Sequence, residues 1–195
     1  EVNTGACDDV AAMLARTRGA GAWLHVDGAF GLWAAAVPRL RHLVAGCERA
    51  DSWATDAHKW LNVPYDSGVA FCAHPEAHRA AMGVHAEYLV RDESNRDPMD
   101  FNPEFSRRAR AFPVYAAIRQ LGRSGIAEIV ERNCACARLF ADELRRVPGV
   151  EVLNDVVLNQ VLLRFEDNER TNAAMAAVQE SGEAWMSGTT WDGRA

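Results

Sequence analysis

The sequence predicts an α/β fold. Two observations carry this. Short apolar runs with few polar alternations, at residues 23–27, 51–55 and 68–72, suit strands of a sheet covered on both faces. Between and after them lie segments with helical spacing and helical end signals. Apolar residues form 49% and charged residues 25% of the 195 residues, so the chain can build a core without crosslinks.

The elements follow in order. Asp8-Asp9 ahead of Val10, Met13 and Leu14 predicts a capped helix that ends near Gly19. The first strand, 23–27, closes on Asp27 and Gly28, and residues 38–43 read as a short helical or turn segment. Strands at 51–55 and 68–72 come next. Residues 84–104 read as a long exposed loop, charged and aperiodic across 91–98. A helix over 105–121 is stopped at Gly122, and a long helix spans 124–147. Its apolar stripe runs through Ile126, Ile129, Val130, Ala137, Phe140 and Leu144, with Glu128–Arg132 and Asp142–Arg146 as i,i+4 pairs on the wet side. Pro148-Gly149 breaks that helix. Strands at 150–153 and 160–165, a helix over 171–181 and the start of a strand at 183–187 complete the chain. This organisation divides it into 1–122, a linking helix 123–147 and a partial small C-terminal domain 148–195. No Met opens the sequence and no closing element ends it, so a piece of a longer protein is expected.

The net charge of −6 argues against a protein that holds nucleic acid on a basic surface. No apolar run approaches the roughly 20 residues of a membrane span, and residues 1–5 lack the basic start of a signal peptide. The five cysteines show no zinc or thioredoxin spacing; reduced thiols in the cytoplasm are expected.

Chemistry concentrates in two segments, His25-Val26-Asp27-Gly28-Ala29 and Asp56-Ala57-His58-Lys59-Trp60. Asp27 closes an apolar strand, and ligands of open α/β sheets sit at the carboxyl ends of strands. Alone, such an Asp is most often a turn or cap residue. Lys59 lies among His58, Trp60 and Leu61, where lost solvation frees an amine as a nucleophile. Alone, it is most often a surface residue with a buried stem. His74 and His78 stand four apart as on a metal-binding helix, but no third ligand is in reach, and no metal is expected. Arg107, Arg108 and Arg110 suit a carboxylate or phosphate, or a packed helix start at a subunit contact. Trp185 and Trp191 read as small-domain core or edge residues.

Together the two segments resemble the paired signatures of the group II pyridoxal-phosphate-dependent amino-acid decarboxylases: a His-Val-Asp-x-Ala strand end and a His-Lys-Trp turn. Residues 38–46, Ala50-Asp51-Ser52-Trp53 and Ser106-Arg107-Arg108 agree, and the resemblance covers most of residues 1–165. It implies the aspartate-aminotransferase-like fold type I, with 1–122 the C-terminal part of the large cofactor domain. It also implies a homodimer with the active site at the interface. The cofactor would be pyridoxal 5′-phosphate and the partner a small-molecule substrate, an L-amino acid decarboxylated to the amine and CO2. Lys59 would carry the cofactor covalently, Asp27 would pair with its pyridine nitrogen, Ala29 would pack on one ring face, and His58 would lie near the phosphate or the lysine linkage.

Three features depart from the pattern. The family's phosphate-contacting segment and the ring stacked on the cofactor's other face lie upstream of residue 1, so the chain by itself is expected to be inactive. Asp56 stands, three before the lysine, where familiar members often carry Asn. A gap-free count puts Pro98 at the place of the family's loop tyrosine, with Tyr88 ten residues earlier. Alternatives are aldehyde-forming oxidative decarboxylation, a cysteine-desulfurase-like lyase (against which Phe30-Gly31 stand where a Gln is usual), or a non-catalytic truncated fragment.

Overall fold

The computed structural model describes residues 1–84, 86, 88 and 94–194. They form two compact units, Asp9–Ile126 on one side and Glu1–Asp8 with Ala127–Ala195 on the other.

In the first unit, helix α1 (Val10–Gly19) begins where Asp9 accepts a hydrogen bond from the Ala12 amide at 2.9 Å. Its Val10 and Leu14 join Leu24, Cys47 and Ala50 in a buried cluster, against which Val26, Leu32 and Val44 pack. Strand β1 (His25–Asp27) runs parallel to β2 (Ser52–Asp56), with His25 opposite Ser52 and Asp27 opposite Ala54. Strand β3 (Gly68–Cys72) pairs antiparallel with β2 and places Gly68 opposite Asp56. The Leu24 amide donates to Asp51 Oδ2 at 2.7 Å, which helps set the β1–β2 register.

Val26 faces the cluster under the sheet, while His25 and Asp27 lie on the opposite face, open to solvent among the described residues.

A second cluster joins Ala57, Leu61 and Val63 to Val114, with Trp33, Val69, Ala117, Leu121 and Ile126 packed around it. Val114 belongs to α3 (Ala111–Leu144). The turn after β2 is therefore seated on the first part of α3. Burying a side chain such as Leu61 contributes about 1.5–3 kcal/mol.

Helix α3 starts at Ala111, six residues later than the predicted 105, because Arg108 and Arg110 are drawn out to Asp66. Gly122, at φ 62° and ψ −173°, interrupts it where the sequence predicts a stop. Helix α2 (Pro75–Met82) precedes the predicted loop. Residues 85, 87 and 89–93 of that loop lie outside the described residues. Beyond them Pro98–Phe101 forms a 3-10 turn whose start is capped by Asp97, where continuous loop is predicted. Asp100 of this turn is buried and meets Arg79 of α2 at 2.9 Å.

In the second unit, β4 (Val150–Val152) and β5 (Leu163–Phe165) pair antiparallel, and α4 (Asn168–Ser181) follows. Asn154 ties the unit together. Its amide donates to the carbonyls of Thr4, Asp155 and Gln160, and its oxygen accepts from the Leu162 amide. Asp167 caps α4, which begins three residues before the predicted start, and Gly182 at φ 70° ends it. No strand forms at 183–187; Trp185 is exposed, and Trp191 makes only an isolated bridge to Arg194. Cys134 is buried and Cys136 exposed, as two positions on different faces of a helix should be.

Candidate active site

The site grows from the parallel β1–β2 pair. Asp27 ends β1, and its Oδ1 accepts from the Ala29 amide at 3.1 Å. The Gly28 amide donates to the Ala54 carbonyl of β2 at 2.9 Å. A Cβ on Gly28 would lie 2.8 Å from Leu32 Cβ and 3.1 Å from that carbonyl, so a larger residue would push the strand ends apart. The Ala29 carbonyl then accepts from the Asp56 amide at 2.8 Å, and Asp56 Oδ2 stands 2.8 Å from Lys59 Nζ. Asp27, Ala29, Asp56 and Lys59 are thus joined by successive polar contacts at the carboxyl edge of two parallel strands.

His58 points to the other end of the same turn. Its Nδ1 lies 2.7 Å from the Ser67 carbonyl oxygen and 3.0 Å from the Ser67 amide nitrogen. Protonated, Nδ1 donates to the carbonyl; bare, it accepts from the amide. Nε2 is 3.7 Å from Asp56 Oδ2, and the ring leans on Tyr65 with centroids 4.0 Å apart. Trp60 and Leu61 are buried, which fixes the turn while Lys59 remains about two-fifths exposed.

Arg108 and Arg110 close the loop after Lys59. Arg108 reaches Asp66 Oδ1 at 2.6 Å and the Tyr65 carbonyl at 3.1 Å, and Arg110 forks onto both Asp66 oxygens. The hydrogen bond from Arg110, then that from the Asp66 backbone amide, holds the Asp66 carboxyl below the usual carboxylate range. These two arginines are engaged by a protein carboxylate, and Arg107 lies 3.9 Å from Glu104.

The two metal-spaced histidines diverge. His74 meets Asp51 at 2.8 Å and lies tilted against Trp23, whereas His78 packs edge-on against Phe101. Among the described residues no group of three or more His, Cys, Asp or Glu is placed to hold a metal ion. Tyr88 is 84% exposed, and Pro98 opens the 3-10 turn.

The donor set fits pyridoxal phosphate. An aldehyde needs a primary amine, and a pyridinium N–H needs a carboxylate acceptor; Lys59 and Asp27 offer these at one sheet edge. Composition carries a further signal that motif reading passes over. Of the 21 Lys and Arg residues, Lys59 is the one lysine. Every other basic position uses arginine, whose guanidinium stays charged and cannot serve as an amine nucleophile.

The description "pyridoxal-dependent decarboxylase conserved domain" matches residues 2–166. A tyrosine decarboxylase of Oryza sativa subsp. japonica is 34% identical over 141 residues, covering 70% of this chain and 26% of that protein. A 4-hydroxyphenylacetaldehyde synthase of Rhodiola rosea is 29% identical over 174 residues, covering 85% of this chain and 36% of that protein. The crystal structure of Oryza sativa TDC with PLP and tryptamine superposes with a TM-score of 0.91 at 25% identity, over 98% of this chain and 42% of that one. The chain therefore spans about a quarter to two-fifths of the length of these relatives.

Proposed function

The chain belongs to the pyridoxal-dependent decarboxylase family, with the fold type I architecture and pyridoxal 5′-phosphate as cofactor, and from that premise we propose that the whole protein removes the α-carboxyl group of an L-amino acid as CO2 and releases the amine. The observation that carries this reading is the run of contacts from Asp27 through Ala29 and Asp56 to Lys59.

Pyridoxal phosphate, when bound, supplies an electron sink conjugated to the substrate's α-carbon. Lys59 would hold it covalently through Nζ and would carry a proton at that atom when free. Asp27 would accept a hydrogen bond from its pyridine nitrogen and keep a proton there. Ala29 would present a methyl group to its ring, where a larger side chain would intrude. His58 holds the turn through Ser67 and lines the lysine's side of the site. Residues 1–122 form the C-terminal part of the large cofactor domain, 123–147 the linking helix and 148–195 part of the small domain.

The protein acts as a homodimer. Support comes from the exposed stripe of Phe112, Tyr115 and Ile118 along α3, since contiguous exposed apolar surface marks interaction sites. Five free cysteines support a reducing, cytoplasmic setting. No described helix is long and apolar enough to cross a membrane.

A second reading is aldehyde formation. Pro98 offers no phenol to protonate the α-carbon after CO2 leaves, and the relatives include an aldehyde synthase. A positioned acid speeds such a step by about 10²–10⁴-fold; Tyr88 can supply one, so the amine stands first. The test assays the full-length protein in air against aromatic and acidic amino acids, with CO2, amine, aldehyde, ammonia and peroxide measured together. Amine in step with CO2, lost on Tyr88→Phe, supports the first reading; aldehyde and peroxide in step with CO2 overturn it.

A further inference from the structure

Asp56 touches the amine that the reading above assigns to the cofactor. Its Oδ2 lies 2.8 Å from Lys59 Nζ, three residues on in the turn that follows β2. We infer that Asp56 is the base that takes the proton Lys59 sheds when the cofactor is loaded. This rests on Lys59 being the cofactor lysine.

The chemistry requires such an acceptor. An ammonium group has no lone pair, so it must lose one proton before its nitrogen can bond to an aldehyde carbon. Lys59 passes that proton to the Asp56 carboxylate. Nζ then bonds to the aldehyde carbon, two further amine hydrogens leave with the aldehyde oxygen as water, and a carbon–nitrogen double bond remains. Asn at this position would keep the shape and a hydrogen-bond acceptor but take up no proton.

The surroundings suit a carboxylate that exchanges protons. Asp56 is one-third exposed, so water can relieve it of the proton afterwards. His58 Nε2, 3.7 Å from Oδ2, stands as a second acceptor. Gly68 faces Asp56 across the β2–β3 pair, and a Cβ there would come within 3.4 Å of Asp56 Oδ1. The glycine keeps that flank of the carboxylate clear.

The test uses the full-length protein freed of cofactor. It is mixed with pyridoxal or with pyridoxal 5′-phosphate and quenched with borohydride at intervals. Label on the Lys59 peptide is read by mass spectrometry. Asp56→Asn is expected to slow capture of both aldehydes by roughly ten- to a hundredfold, at or below the low end for general-base assistance because water competes as acceptor. Added formate should restore part of the rate, which a merely structural role would not allow. Asp56→Glu, which keeps the acceptor, should retain most of it and serves if the Asn variant does not fold. Equal rates for Asp56→Asn and the unaltered protein overturn the inference. So does an effect confined to the phosphate-bearing aldehyde, which would make Asp56 a repeller of phosphate. Label on a different lysine in the unaltered protein overturns the reading of Lys59 itself.

Discussion

His58 is fastened to Ser67 by contacts of 2.7 and 3.0 Å, and this ties the turn that carries Lys59 to the start of β3. The link joins residues nine positions apart in the chain. It fixes the backbone on which the amine stands without using the amine.

His58→Ala should therefore destabilise the full-length protein by about 1–3 kcal/mol, the cost of leaving the Ser67 amide without its acceptor, while the Ser67 carbonyl keeps its bonds from the Ala57 and His58 amides. Urea unfolding monitored by circular dichroism measures it. Cofactor affinity should fall as well, because the lysine turn loses its anchor. Unchanged stability and affinity would show that the Ser67 contacts do not hold the turn.

The floor under that turn is Leu61 against Val114. Leu61→Ala should cost about 2–5 kcal/mol, since it removes buried methyl groups and leaves a cavity. A loss below 1 kcal/mol would mean the turn is not seated on α3.

Asp66 should give the loop an acid-sensitive lock. A carboxyl whose folded pKa lies below its unfolded value adds stability that is full above about pH 4. That stability is lost as the pH falls through the lowered value. Asp66→Asn should thus lower stability at neutral pH and flatten its decline in acid. Parallel curves for variant and parent between neutral and acid pH would contradict the Arg110–Asp66 bond as the cause.

Gly122 sits where φ is 62° and ψ −173°, a region open essentially to glycine. A Cβ there would meet nothing within 4 Å, so the whole penalty is conformational. Gly122→Ala should cost about 1–3 kcal/mol or straighten α3; thermal melts and a crystal structure of the variant distinguish the two.

Local signals in the sequence were enough where structure is decided locally. Asp9 and Gly122 ended their elements as their side chains, or lack of one, require. The bounds of β3 also agree, since the Gly68–Cys72 run carries its own stop and start. What escaped depends on distant partners. Residues 105–110 have helical composition, yet Asp66, more than forty residues earlier, pulls Arg108 and Arg110 out of the helix. In the site, the Asp27 and Lys59 signatures were legible as residues, but the linking contacts through Ala29 and Asp56 exist only once β1 and β2 pair.

Asp27→Asn should leave Lys59 able to hold the cofactor but lower turnover by roughly 10²–10³-fold, as when one preorganised electrostatic partner is lost. The comparison of borohydride-fixed label with kcat in the full-length variant measures both. Full turnover would remove Asp27 from its place at the pyridine nitrogen.

The most direct measurement is borohydride reduction of the full-length, cofactor-loaded protein, followed by peptide mapping. The pyridoxyl group is expected on Lys59, the one lysine between residues 1 and 195, in a peptide that also holds His58 and Trp60. A pyridoxyl group on a lysine outside this segment, with Lys59 unlabelled, would contradict the site built on Asp27 and Lys59.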